Sequence, residues 1–460
     1  MSSLQNITIK KAALTPCKGS NPPKTSLDES GNRKAFRIEE GIVTVDYFED
    51  ILSPNVTAYI KLNTTAGAYS AIPIRGFERL DLILGTEYGD LSFDGESKTP
   101  PLYVAAVRDL IQDETSETFT LVCKTKECFN NEISRCSNRF EIQSISTHVR
   151  TILTEVLKVD SSRINDIEES STTYGFMGNM KKPFQVLVWL APKASTASQS
   201  KSGTEGKGKD SKARGTAGFF FWETRDGFNF KSIETLLSAK TNSKSSDNKE
   251  IPKYTASSVA DRETTDKQII HYFIDKNTDV QKNLRTGLYN NLQYFFDPVD
   301  WQLDAIKYEL KDEKENLNTS ADFIPLPGEG DERELIDYSS RIMCRIGDTG
   351  MWDPAFAESK NSEMSTQGRD KSDMCKSFSR YNLLFTQSLN IVIPINPNLK
   401  AGDIIYVELP KADGTVGNVQ KADAQQSSLY LIRSVRHHFE ISGGTNTTSL
   451  NLIRDSYGIE

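Results

Sequence analysis

Apolar positions change their spacing twice along the chain. Over the segments 41–52, 55–63 and 71–84 they are β-branched or aromatic and partly alternate with polar residues, the pattern of half-buried strands. Ser-Pro, Thr-Thr-Ala-Gly and Gly-Thr-Glu-Tyr-Gly-Asp turns separate them, and 101–112 with 118–125 predicts a hairpin around Asp113–Ser116. Four to six strands with no helix between them predict a small antiparallel barrel or sandwich. Near residue 130 the period switches. Ile142, Ile145, Val149, Ile152, Leu153, Val156 and Leu157 recur at three and four, which predicts an amphipathic helix. A second helix is predicted over 182–192, with Pro183 in its first turn and Pro192 at its end.

Beyond residue 217 the texture is mixed. Aromatic strands around Thr224–Gly227 predict a hairpin over 218–231, and 287–310 reads as two strands broken at Asp297-Pro298. Leu335, Tyr338, Ile342 and Met343 fall on one face of a helix predicted over 332–346, and a last helix is predicted near 379–387. Alternation then returns in four strands, 389–396, 404–409, 429–441 and 445–454. In the third, Tyr430, Ile432, Ser434, Arg436 and His438 are expected on one face, with Leu431, Arg433, Val435, His437 and Phe439 on the other.

The expected fold is therefore mainly β (α+β): two small antiparallel β-barrels joined by a mixed helical domain, a duplicated layout without evident sequence repetition. The expected boundaries are an N-terminal arm at 1–35 and a first barrel at 36–130. A middle domain takes 131–192 and 262–375, a mobile low-complexity loop 193–217, and a second barrel 218–261 and 376–460.

Composition narrows the chemistry. The 460 residues carry 55 Lys and Arg against 63 Asp and Glu, a net charge of −8. The 193–217 stretch holds six positive and two negative residues, so the rest of the chain carries −12. That balance argues against a protein that wraps nucleic acid and against direct binding to an anionic membrane. The longest apolar run, Val186 to Ala191, has six residues, far from the ~20 a transmembrane helix needs, and the N-terminus shows no secretory apolar region.

Candidate catalytic patterns fall away one by one. Cys123, Cys128 and Cys136 lie near one another without a Cys-x-x-Cys, and a zinc site would lack its second pair of ligands. Gly203, Gly208 and Lys209 match the opening of a phosphate-binding loop, but Asp210 replaces the metal-ligating hydroxyl and no apolar strand precedes it. Only four histidines are present, and the adjacent His437 and His438 point to opposite faces of a strand, so hydrogen-bonded structural roles are expected. Glu223 and Asp226, at the hairpin, are the carboxylates that a peptidoglycan hydrolase reading would nominate. No catalytic, cofactor-binding or metal-ligating residue is assigned. The residues singled out are structural. Leu399 is expected as a buried anchor, Gly402 in a backbone conformation awkward for other residues, and Asp403 as the cap of the turn.

Those three sit in the most specific pattern of the chain, Asn396-Pro397-x-Leu399-x-Ala401-Gly402-Asp403 between two strands. With Tyr430–Phe439, the TSLNLIRDSYG ending at 448–458, KPFQVLVWLAPKA at 182–194 and GFFFWETRDGFNFKSIETLL at 218–237, it resembles the central baseplate hub proteins of T-even-type contractile-tailed phages, in a cyanophage-like form. The wider group includes late-control D tail proteins and the hub part of type VI secretion spikes.

The resemblance implies two six-stranded barrels per chain and a homotrimeric, pseudo-sixfold torus. Such a ring would adapt a hexameric tail tube to a trimeric, lysozyme-like central spike. It implies further contacts with the tape-measure protein and baseplate wedge proteins, DNA only as passing cargo, and a place in the virion tail baseplate after synthesis in the host cytoplasm. A hub of a related contractile injection system is the neighbouring reading.

Overall fold

The computed structural model describes residues 7–17, 34–65, 74–95, 99–196, 217–238, 251–256, 267–298, 301–328, 335–346, 367–411, 422–441 and 443–458, with Gly67, Tyr69 and Ile72 as isolated positions. The fold is mainly β, as the alternating segments predict. The first eight strands are β1 (Thr8–Thr15), β2 (Phe36–Arg37), β3 (Ile42–Asp50), β4 (Thr57–Thr65), β5 (Arg79–Thr86), β6 (Gly89–Phe93), β7 (Leu102–Gln112) and β8 (Ser116–Lys124). They pair in the order β3-β4-β8-β7-β5-β1, with β2 on β1 and β6 on β5. Alternate residues of each strand turn inward, so Val45, Ile60, Leu80, Leu82, Leu121 and Val104 fill one core. Each such side chain contributes ~1.5–3 kcal/mol by leaving water.

The middle of the chain supplies β9 (Arg139–Ser144), β10 (Ile164–Ile167), β11 (Thr173–Met177), β12 (Phe219–Thr224) and β13 (Gly227–Ser232). Helix α1 (Lys126–Ile133) leads in, and α2 (Ile145–Thr151) continues through one π turn to Val156. Helix α3 (Pro183–Leu190) follows, with Pro183 in its first turn. Ile145, Val149, Ile152 and Leu153 of the predicted helical face pack with Leu187, Leu190, Phe221 and Phe230.

The remaining strands are β14 (Lys253–Ala256), β15 (Gln268–Ile269), β16 (His271–Lys276), β17 (Asn290–Asp297), β18 (Gln302–Glu309), β19 (Arg341–Ile346), β20 (Gln387–Pro394), β21 (Ile404–Glu408), β22 (Ser428–Glu440) and β23 (Thr447–Arg454), with helix α4 (Gln367–Leu384) before β20. Strands β17, β18 and β19 form a small separate sheet.

The other C-terminal strands pair in the order β16-β20-β23-β22-β21-β14, which repeats the order of the first half, except that β14 runs parallel to β21 where β1 runs antiparallel to β5. One irregularity coincides, while a second in β7, between Arg108 and Ile111, has no counterpart in β22. Strand β7 bulges against β8 between Val104 and Ala106, and β22 bulges against β23 between Ile432 and Ser434. Val104 and Ile432 also occupy the same place relative to the preceding turn, as the hydrogen bonds below show. The two halves are joined edge to edge: the C-terminal part of β22 pairs with β3 from Ser434↔Asp50 to Glu440↔Thr44. One sheet of 15 strands results, and among the described residues neither half closes into a barrel by strand pairing.

Five expectations need correction. The N-terminal arm is in part a core strand: Ala12 and Leu14 are fully buried, because β1 pairs along β5. The hairpin 219–232 does not join the second set of strands. It pairs with β10, and being apolar on both faces it is buried on both, Phe219 and Phe221 in the middle core and Phe220 and Trp222 against Leu431 and Ile453. Conversely, β15 and β16, expected in the middle domain, pair with β14 and β20.

The helix predicted over 332–346 is instead a 3-10 turn at Leu335–Asp337 followed by β19, because parallel pairing with β17 overrides a short local period. Finally, the bulge at Arg433 resets the alternation of β22: Tyr430 and Ile432 share a core with Val435, and Val435, His437 and Phe439 are the buried residues beyond it. Most of the 193–217 loop lies outside the described residues.

Candidate functional site: the turn where three cores meet

The segment 396–403 crosses from β20 to β21 and touches the C-terminal core, the hairpin 219–232 and the first set of strands. Leu399 is buried in the C-terminal core with Ile405, Tyr430 and Ile432. Gly402 has φ +93°, and a Cβ there would lie 2.7 Å from Trp222 Cζ2, so only glycine fits both the backbone and the space. The Gly402 amide donates to Ile432 O at 2.9 Å, and the Ile432 amide donates back to Asp403 O at 2.8 Å. The Asp403 carboxylate accepts from the Lys400 amide at 3.0 Å, closing the turn.

The same device stands in the first half. Phe77 N donates to Val104 O at 2.7 Å, Val104 N donates to Glu78 O at 3.0 Å, and the Glu78 carboxylate accepts from Arg75 N at 2.7 Å. Phe77, with φ +68°, takes the place of Gly402, and Ile74 that of Leu399.

Side chains from elsewhere lock the C-terminal turn. His437 is buried between it and β23. Its Nε2 meets Leu399 O at 3.1 Å and its Nδ1 meets Thr448 Oγ1 at 3.0 Å, while Thr448 Oγ1 also accepts from Asn396 N at 3.0 Å. A carbonyl only accepts, so Nε2 carries the proton and Nδ1 accepts from the threonine hydroxyl. Burial pushes the imidazole down to about 3, so the ring is neutral. Glu49, buried on β3, accepts from the Ala401 amide at 3.0 Å, the Arg225 amide at 2.8 Å and the Tyr47 hydroxyl at 2.8 Å. Trp222 Nε1 donates to Ala401 O at 3.0 Å, and Lys400 forms an ion pair with Asp226. Asn398 Nδ2 reaches Tyr88 O at 2.7 Å, on the turn between β5 and β6.

A second buried carboxylate extends the joint. Glu223 pairs with Arg163 Nη2 at 2.6 Å and accepts from Val56 N at 3.1 Å and Thr125 Oγ1 at 3.0 Å. Burial pushes Glu223 upward while the Arg163 guanidinium beside it pulls the other way and favours the carboxylate, and burial also raises Glu49. Farther along, Arg380 bridges Asp455 at 2.8 Å and Glu234 at 3.0 Å, fixing α4 to the end of β23.

This arrangement is built to hold surfaces together. Of the carboxylates nominated for hydrolysis, Glu223 is fully buried with each oxygen bonded, and Asp226 is half-buried and paired with Lys400. Cys123 lies in the first core and Cys136 in the middle one, with burial raising Cys136 to about 11, while Cys128 is half-buried; all three are free thiols. His438 sits opposite Asp46 at 2.7 Å, on the other side of the strand from His437.

Leu399, Gly402 and Asp403 thus come together, whereas Glu49, Arg163, Trp222 and Tyr47 were not singled out from sequence. The one local signal for Glu49 is an acid at an inward position of an otherwise apolar alternation.

No protein-family model and no curated protein matches the chain. Among solved structures, it is similar to a tail protein from Neisseria meningitidis (9% identity, 97% of this chain and 96% of that one, TM-score 0.51). A prophage MuSo2 43 kDa tail protein from Shewanella oneidensis (9%, 98% and 100%, TM-score 0.47) and an E. coli component of the type VI secretion system (10%, 99% and 79%, TM-score 0.42) are also similar. The chain therefore shares the fold of the Neisseria tail protein over nearly the whole length of both.

Proposed function

We propose that the chain is the hub subunit of a contractile-tail baseplate, a structural component and not an enzyme, located in the virion tail. Three copies form a pseudo-sixfold ring that adapts a hexameric tail tube to a trimeric, lysozyme-like central spike and surrounds the channel through which DNA leaves. The observation that carries this reading is the internal repeat. Each chain holds two six-stranded arrays of the same strand order joined edge to edge, so three chains present six similar units, and a heterologous contact repeated at the right rotation closes a ring.

The locked turn supports the same reading, because a ring under load needs its two arrays held at a fixed angle. A net charge of −8 suits a channel wall that passes DNA without gripping it. Tape-measure and wedge proteins complete the proposed partners, and a hub of a related injection machine would work by the same geometry.

Negative-stain imaging of the purified protein tests the proposal. Rings with a sixfold-looking outline and a central hole are expected; a field of compact single chains at all concentrations contradicts it.

A further inference from the structure

Positive charge gathers on one aromatic platform of the middle domain. Trp189, half-buried on α3, rests on Tyr174 and Phe176 of β11, with ring centroids 5.7 and 5.5 Å away. Two ammonium groups lie over the indole. Lys193 Nζ is 4.2 Å from its centroid and 6.0 Å from that of Tyr174, and Lys181 Nζ is 5.4 Å from the indole. Arg345, on β19, adds a third positive charge that acts on Lys193. Among the described residues none of these three cations forms an ion pair, whereas the neighbouring Lys182 does, with Glu132.

Gathering like charges on a half-buried ring costs free energy, and Lys193 bears the cost. Drawn out of water and facing two other cations, its amine is pushed down to about 8. At pH 7 it still holds its proton, so the folded chain carries a charge that an anion would relieve.

The rim of the platform is apolar. The turn leading to Lys181 displays Met177 and Met180, 51% and 64% exposed, and Val188 beside Trp189 is 44% exposed. Asn179 and Met180 take left-handed φ of +50° and +56°, held by the Met180 amide donating to Cys136 O at 3.0 Å. A backbone conformation unfavourable to side chains, used to turn a methionine toward solvent, does nothing for the stability of the single chain and marks a surface with another use.

We infer that this face of the middle domain docks an acidic segment of another protein, its carboxylates on Lys181, Lys193 and Arg345 and its apolar side chains on Met177, Met180 and Val188. Such a segment satisfies both halves of the surface, because its charge is complementary to the platform and methionine packs against irregular apolar shapes. A nucleic acid would satisfy neither half as well. An ammonium at 4.2 Å already covers the indole, so a base would have to displace it in order to stack, and the methionines offer nothing to a sugar-phosphate chain. The assignment adds a surface and a partner chemistry to the baseplate reading and holds whether or not three copies close a ring.

Fluorescence anisotropy with a labelled peptide of alternating Glu and Leu, titrated with the full-length protein, tests the assignment. The wild type should bind it, and the same peptide with Gln in place of Glu should not bind. Lys181→Glu/Lys193→Glu should weaken binding about tenfold and Met177→Ser/Met180→Ser about threefold, with thermal unfolding of the lysine variant not lowered. Lys61→Glu/Lys126→Glu, the same change of charge at two exposed lysines elsewhere, should leave binding within about twofold of the wild type. A further readout needs no variant: amine labelling at Lys193, followed by mass spectrometry across pH, should titrate at higher pH with the peptide bound, since a carboxylate favours the charged amine. Absence of binding to the wild type, equal binding by the lysine variant and the wild type, an unmoved Lys193 titration, or tighter binding of an oligothymidine than of the peptide would each overturn the assignment. None of these results alters the mass of the assembly, so the ring reading stands or falls separately.

Discussion

His437 holds the carbonyl of Leu399 at 3.1 Å, and this single contact ties the strand shared by both halves to the turn where three cores meet. The ring is buried and neutral, held down to about 3, whereas in the unfolded chain it titrates near 6.5. Unfolding therefore takes up a proton below pH 6.5. The stability linked to neutral His437 is fully present above 6.5 and is lost, at ~1.4 kcal/mol per pH unit, as pH falls toward about 3. Between pH 7 and pH 5 the wild type should lose ~2 kcal/mol more than His437→Gln, read from urea midpoints. Equal pH dependence of the two proteins would count against a buried neutral histidine.

Gly402 and Gly443 both have positive φ, +93° and +102°, but they differ in surroundings. A Cβ at 443 meets nothing within 4 Å, while one at 402 meets Trp222 at 2.7 Å. Gly443→Ala should cost only the conformational term, ~1 kcal/mol. Gly402→Ala adds overpacking and should cost ~2–4 kcal/mol in all. Thermal unfolding of the two variants side by side measures the difference, and equal losses would remove the tryptophan contact from the account.

How much of this was legible in the sequence follows from which forces were local. Alternation disclosed the strands around Val45, Ile60 and Leu450, and the three-four spacing disclosed the helix of Ile145 and Val149, because each pattern is written in consecutive residues. Strand β19 was misread because Ile342 and Met343 take their state from β17, some fifty positions earlier. The hairpin of Phe219–Trp222 was placed in the wrong unit for a related reason: a strand apolar on both faces does not say which core each face enters.

The turn at Leu399, Gly402 and Asp403 could be picked out by its glycine and its acid. Glu49 and Arg163 could not, since what makes them matter is distant amides and a distant carboxylate. The repeat of the two halves left no sequence trace because strand order and bulge position survive with different side chains, Phe77 standing where Gly402 stands.

Arg163 is the one charged partner of the buried Glu223 among the described residues. Removing it strands a carboxylate away from water, so Arg163→Met should destabilise by ~3–5 kcal/mol. Arg163→Met/Glu223→Gln should lose less than the two single changes together, since the amide needs no counter-charge. Urea denaturation of the four proteins forms the cycle; strict additivity would show that the pair does not couple.

The central claim is that one chain carries two of six units in a ring. Light scattering on the purified protein across a range of concentrations tests it most directly. A mass of about 155 kDa, three copies of 51.5 kDa, is the predicted result, and a mass of 51.5 kDa at every concentration would contradict it.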